Sequence, residues 1–181
     1  MDHREFSSFL NSISSYPLLV LDTSISLDQY YPLDLSMHNV ALQNVNVSDS
    51  SVFEVYINSL LAMSHKKVAY GGYNEIRNIY RRSTYFNQDN METERNIHLG
   101  IDLWLVAGSP IFAPLDGIVH SFAYNKNFGD YGPTIILKHQ VDTVIFYTLY
   151  GHLSLSSIDH LKMGAVFEQG NLLATLGDAS V

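Results

Sequence analysis

All eleven glycines of this 181-residue chain lie at or after Gly71, and nine of them lie at or after Gly100. Glycine reaches backbone angles closed to other residues and lets segments approach closely, so this skew predicts tight turns and bulges in the second half alone. From Ile97 onward, short β-branched and aromatic runs are broken by Gly, Pro, Asn and Asp, the pattern of an antiparallel sheet or barrel. The expected strands are Leu99–Val106, Pro110–Ala113, Gly117–Tyr124, Thr134–His139, Thr143–Tyr150 and Leu172–Leu176, with turns at Gly108-Ser109-Pro110 and Asp116-Gly117.

The glycine-poor part reads differently. Val52, Phe53, Tyr56, Leu60 and Met63 fall at helical spacing, which predicts a helix over Ser51–Lys66 capped by Asp49 or Ser50. A shorter helix is expected over Arg4–Ile13, Thr23–Val47 has no clean period, and Ser156–Leu161 reads as one helical turn. The apolar stripes read as core rather than as a cofactor site. Tyr70-Gly71-Gly72-Tyr73 reads as a turn. The aromatic and basic run from Tyr80 to Phe86 reads as a packed linker with solvated or ion-paired arginines, or as the lining of a substrate groove. The fold class expected is α+β, a mainly antiparallel, barrel-like domain over residues 91–181 following a partly helical extension over 1–90.

Composition narrows the chemistry. Ten Lys+Arg against eighteen Asp+Glu give a formal charge of −8, which argues against nucleic acid or an anionic membrane surface as the main partner. With 46% hydrophobic and 15% charged residues the chain should fold, and with no cysteine any metal must be held by His and carboxylate. The opening Met1-Asp2-His3-Arg4-Glu5-Phe6 lacks the pattern of a secretory signal, and Leu18-Leu19-Val20-Leu21 is cut short at Asp22. The expected location is cytoplasmic, or the cell envelope if the N-terminus has been trimmed.

His98-Leu99-Gly100-Ile101-Asp102 sets an imidazole and a carboxylate four residues apart. On a straight strand that spacing is about 13 Å, whereas two ligands of one zinc each sit about 2 Å from it. The backbone must bend to bring them together, and Gly100 supplies a position with access to the backbone angles of a bulge. Tyr150-Gly151-His152-Leu153-Ser154, at the end of a strongly β run, sets a second histidine at a strand end, either beside a cleft or as a hydrogen-bonded structural residue.

Taken in order, these segments resemble a family. The matching features are His98-x-x-x-Asp102, then Ala107-Gly108-Ser109-Pro110-Ile111-Phe112-Ala113-Pro114-Leu115-Asp116-Gly117-Ile118-Val119, Phe128-Gly129-Asp130-Tyr131-Gly132, Ile135 to His139, Tyr150 to Ser154, and Gly164 to Gly177. From about His98 to the end the chain resembles the lysostaphin-type, or LytM-like, zinc metallopeptidases, which cut peptide cross-links of bacterial cell walls. The resemblance implies that His98 and Asp102 are zinc ligands and that His152 is a catalytic histidine near the metal-bound water or the oxyanion. It implies attack of a zinc-activated water on a peptide, most simply a peptidoglycan cross-link. In the family a His-x-His motif beyond the last matched turn supplies the remaining ligand and another catalytic histidine. The sequence ends at Val181 before such a motif, so a truncated domain, inactive for want of a third ligand, is the expectation.

Two other readings stand beside the enzyme. One is a noncatalytic, degenerate binding or regulatory domain that keeps the fold without the metal site. The other is a biotinyl- or lipoyl-type carrier, suggested by the glycine rhythm of Gly164 to Ala174 but opposed by the placement of Lys162 before Gly164. His3, His38, His65, His120 and His160 have no partner at ligand spacing and read as surface or structural residues. His139 reads as core or as near a cleft, Tyr131 as a groove residue, and Trp104 as packing beneath the site.

Overall fold

The computed structural model describes residues 2–77, 96–127 and 129–178. It is α+β with mainly antiparallel strands, and packing divides it into two compact units. The first comprises Met1–Thr23 with Ala107–Val181, and the second Ser24–Val106. These limits differ from the 90/91 division because the first helix packs with the later strands, while the segment carrying His98 and Asp102 packs with residues that precede it.

In the first unit, helix α1 (His3–Ser12) opens on a capping box, in which Asp2 accepts from the Glu5 amide and the Glu5 side chain accepts from the Asp2 amide. Phe6 and Phe9, three apart on one face, both meet the ring of Phe146 edge-on. Strands β7 (Gly117–Asn125), β8 (Gly132–Val141), β9 (Val144–Tyr150) and β10 (Val166–Phe167) form an antiparallel sheet in the order β10-β7-β8-β9. A two-residue turn at Asp142-Thr143 closes the β8–β9 hairpin, with Asp142 in the left-handed region. Ile135 and Leu137 alternate inward from β8 and are fully buried, while Ile145, Tyr147 and Leu149 face outward from β9. A separate pair joins β6 (Pro110–Phe112) to β11 (Leu172–Thr175). Residues Leu155–Ser157 form a short 3-10 turn, earlier and tighter than the sequence reading.

In the second unit, helix α2 (Ser50–Ser64) is capped by Asp49, whose carboxylate accepts from the Ser51 and Val52 amides. Its buried stripe is Ile57 and Leu61, with Phe53, Tyr56 and Leu60 partly buried beside them against Leu33, Leu35 and Ala69. Val52 and Met63, assigned to the stripe from sequence, are exposed; a broad aromatic flank at Phe53 and Tyr56 turns the face away from them. Strand β2 (Val68–Gly71) lies between β1 (Tyr30–Pro32), its parallel neighbour, and β5 (Asp102–Trp104), its antiparallel one. The turn expected at Tyr70 therefore begins only after Gly71.

Of the strand expected over Leu99–Val106 only Asp102–Trp104 is strand, and a separate short strand precedes it. Strand β4 (Ile97–His98) pairs with β3 (Glu75–Ile76), whereas β5 belongs to the three-stranded sheet. Residues 99–101 bend between them. Trp104 packs edge-on against Phe53 at 6.4 Å in this unit's core. The run from Tyr80 to Phe86 lies outside the described residues. No helix among the described residues is long and apolar enough to cross a membrane.

Candidate metal centre

Because the chain turns between β4 and β5, the side chains of His98 and Asp102 converge. The Nε2 atom of His98 is 3.5 Å from Oδ1 of Asp102, far less than the straight-strand spacing. Gly100 contributes differently from the sequence reading: its φ is not in the left-handed region. A Cβ at that position would lie 3.1 Å from Nε2 and 3.3 Å from Cε1 of His98, so the missing side chain makes room for the imidazole folding back over the bend.

The tautomer of His98 follows from its other neighbour. Nδ1 is 2.9 Å from the carbonyl oxygen of Gly72, which can only accept, so Nδ1 carries the proton and Nε2 presents a lone pair toward Asp102. Two acceptors facing each other at 3.5 Å repel unless a cation or a proton lies between them. Two ligand atoms on one tetrahedral zinc, each about 2 Å from the metal, are about 3.3 Å apart. The pair thus fits two positions of a zinc site in spacing, donor type and tautomer. Among the described residues, neither unit groups three His, Asp or Glu side chains as a complete ligand set.

Two charged residues absent from the sequence reading complete the surroundings. Arg77, 5% exposed, places Nη1 2.6 Å from Oδ2 of Asp102 and Nε 2.6 Å from Oε2 of Glu75. The other Glu75 oxygen accepts the backbone N–H of Leu35, a buried core residue, at 2.9 Å. Burial disfavours the charged guanidinium, but Asp102 and Glu75 outweigh it and hold the Arg77 pKa above its ordinary value. The signal available in the sequence was Glu75-Ile76-Arg77: residues two apart share a strand face, and two opposite charges there in a chain only 15% charged are informative.

Gly72 lies where the two halves of this network meet. Its φ is +99°, and a Cβ there would fall 1.9 Å from Nη2 of Arg77 and 2.7 Å from Nδ1 of His98. An open hollow of about 400 Å³, lined by Ser36, His38, Gly72, Tyr73, Asn74, Glu75 and Ile76, shares two residues with the network.

His152 belongs to the first unit, two residues past the end of β9. Its φ of 54° puts a non-glycine residue in the left-handed region, held by two backbone hydrogen bonds. Its N–H donates to the Tyr131 carbonyl at 2.6 Å, and its carbonyl accepts from the Gly177 amide at 2.9 Å. The Tyr131 ring, half exposed, lies 6.1 Å from the imidazole. His139 is a core residue: fully buried, it stacks on Phe146, and its two nitrogens lie 2.7 Å from the Asp116 carbonyl and from the Thr148 hydroxyl.

Comparison with known proteins bears on residues 96–181, which match the model of Peptidase family M23. An uncharacterized metalloprotease of Haemophilus influenzae is 32% identical over 84 residues, which is 46% of this chain and 16% of that relative. The solved structure of Helicobacter pylori Csd3 is similar over 51% of this chain and 24% of that one, with 24% identity and a TM-score of 0.36. This chain thus spans a minor part of either protein's length. The matched segment contains His98, Asp102 and His152 and begins after Glu75 and Arg77. Residues 96–181 thus resemble peptidase family M23.

Proposed function

We propose that the protein carrying this chain is a zinc metalloendopeptidase that hydrolyses short peptides, with peptidoglycan cross-links as its substrate. The observation that carries the reading is the convergence of His98 Nε2 and Asp102 Oδ1 at 3.5 Å with Nδ1 committed to the Gly72 carbonyl. In this reading His98 and Asp102 hold the metal as two of the three protein ligands that catalytic zinc takes. Zinc bound there would supply a Lewis acid that polarises a peptide carbonyl and lowers the pKa of water toward about 7. His152 acts as the catalytic imidazole, its ring oriented by a backbone conformation that two hydrogen bonds impose. An imidazole suits the proton transfers of peptide hydrolysis because it exchanges protons near neutral pH.

The test uses the full-length protein with purified peptidoglycan and a panel of short peptides, following new amino termini by mass spectrometry. The expected result is cleavage that a chelator abolishes, that zinc restores, and that His98→Ala, Asp102→Ala and His152→Ala each eliminate. Zinc binding without cleavage of any substrate would favour a noncatalytic peptidase-like module. Cleavage that survives loss of both His98 and Asp102 would overturn the proposed site.

A further inference from the structure

Nothing in the ligand pair itself explains why the Asp102 carboxylate presents one oxygen toward His98. A carboxylate on a short strand, 28% exposed on its side chain, is free to rotate about its Cβ–Cγ bond and offer either oxygen, both, or neither. In this structure one oxygen is already taken. Arg77 Nη1 holds Oδ2 at 2.6 Å, leaving Oδ1 opposite the imidazole.

The guanidinium is fixed in turn on three sides. Its backbone lies beside the ligand strand: Glu75 pairs with His98 and Ile76 with Ile97, and the Arg77 amide donates to the Asn96 carbonyl at 2.8 Å. Its Nε is held by Glu75, which is anchored to the Leu35 amide of the core. Its remaining nitrogen, Nη2, is buried, has no hydrogen-bond partner among the described residues, and fills the space that a side chain on Gly72 would claim. A buried donor left unpaired is costly, so packing at Gly72 and the two carboxylates together hold the group where it is. The same segment, 72–77, supplies the carbonyl that sets the His98 tautomer.

We infer that Arg77, braced by Glu75, is a positioning residue that holds Asp102 in a one-oxygen, metal-ready orientation toward His98. This inference rests on the proposed zinc reading and adds to it that residues 72–77, outside the matched peptidase segment, belong to the metal centre. A planar fork holds two carboxylates in fixed directions at once, whereas lysine presents a compact point of charge with rotatable donors. Simple electrostatics predicts the opposite effect. A cation bonded to Asp102 withdraws charge from the oxygen that would bind metal, so if Arg77 did nothing but neutralise, removing it would tighten zinc binding.

That opposition makes the test decisive. Zinc affinity of the full-length protein is measured by competition with a chromophoric chelator for wild type, Arg77→Met, Arg77→Lys and Glu75→Gln, with the visible spectrum of bound cobalt as a second readout. Loss of an orienting partner characteristically weakens metal affinity by about 10–100-fold. The expectation is a loss of that order for Arg77→Met, a comparable loss for Arg77→Lys, a smaller one for Glu75→Gln, and an altered cobalt spectrum in each. Unchanged or tighter binding by Arg77→Met, with the metal-free protein folded by circular dichroism, overturns the inference. If Arg77→Met does not fold, Arg77→Lys decides, and wild-type affinity with a wild-type cobalt spectrum overturns it. Should the wild type bind no zinc, the functional reading fails as well; should wild type and variants bind alike, only the role of Arg77 fails.

Discussion

The four-stranded sheet of the first unit and the ligand cluster of the second are held together by different means. In the sheet, β8 pairs in unbroken register with β9 and, past one register shift between Val119 and Ser121, with β7, and its inward side chains, Ile135, Leu137 and His139, are fully buried. The strands that carry His98 and Asp102 are two and three residues long, and the continuous structure is a chain of contacts from the Leu35 amide through Glu75 and Arg77 to Asp102. Regular burial gives the sheet its stability. A charged network gives the cluster its geometry, and such networks contribute less to stability than they do to position.

The contrast can be tested by taking the largest effect first. Leu137→Ala removes a fully buried side chain from the sheet and is expected to cost about 3 kcal/mol, measured by urea unfolding. A loss under about 0.5 kcal/mol, no more than a surface substitution gives, would mean that the sheet is not the rigid element described. Asp102→Ala leaves Arg77 buried with Glu75 alone and is expected to cost about 1–3 kcal/mol in the metal-free protein. A neutral or stabilising result would mean that the network contributes nothing to the fold beyond orientation.

A third expectation concerns pH. Tyr150 lies on β9, and burial raises its phenol pKa above the ordinary 10, although a hydrogen bond from the Thr148 hydroxyl works the other way. A raised pKa means that the folded state keeps a proton which the unfolded state releases. Its contribution is therefore complete below pH 10 and declines as pH rises from there through the folded-state value. Stability measured from pH 9 to 11 should fall, and Tyr150→Phe should flatten that fall; an equal slope in the variant would remove Tyr150 as the cause.

The smallest effect on stability should come from Gly100→Ala, yet it should matter most for geometry. The added Cβ meets the His98 ring at 3.1 Å, so the ring must shift by a few tenths of an ångström while the backbone, which has no positive φ there, is unstrained. Zinc affinity should drop with little change in melting temperature. If both are unchanged, the account of Gly100 as space for the imidazole is wrong.

What could be read in the sequence follows the same contrast. Strands β6, β7, β8, β9 and β11 were expected within a few residues of their limits, because alternation and turn residues are local signals. The cap of α2 is Asp49, one of the two positions expected, whereas the Asp2-x-x-Glu5 box of α1 went unread. Strands β1 and β3 were missed because two or three residues carry no period, and they exist through partners distant in sequence. The bend at Gly100 was foreseen but not its cause, since a close approach by the His98 ring is a fact of three dimensions. Arg77 and Glu75 escaped for the same reason: nothing about a lone pair of charges reveals that Asp102, twenty-five positions beyond Arg77, completes it.

The most direct measurement is the zinc stoichiometry and affinity of the full-length protein at neutral pH, by chelator competition, for wild type and His98→Ala. The account predicts one tightly bound zinc in the wild type and a loss in His98→Ala of more than about 100-fold, larger than removal of a merely supporting residue gives. A His98→Ala protein that binds zinc as the wild type does would contradict it.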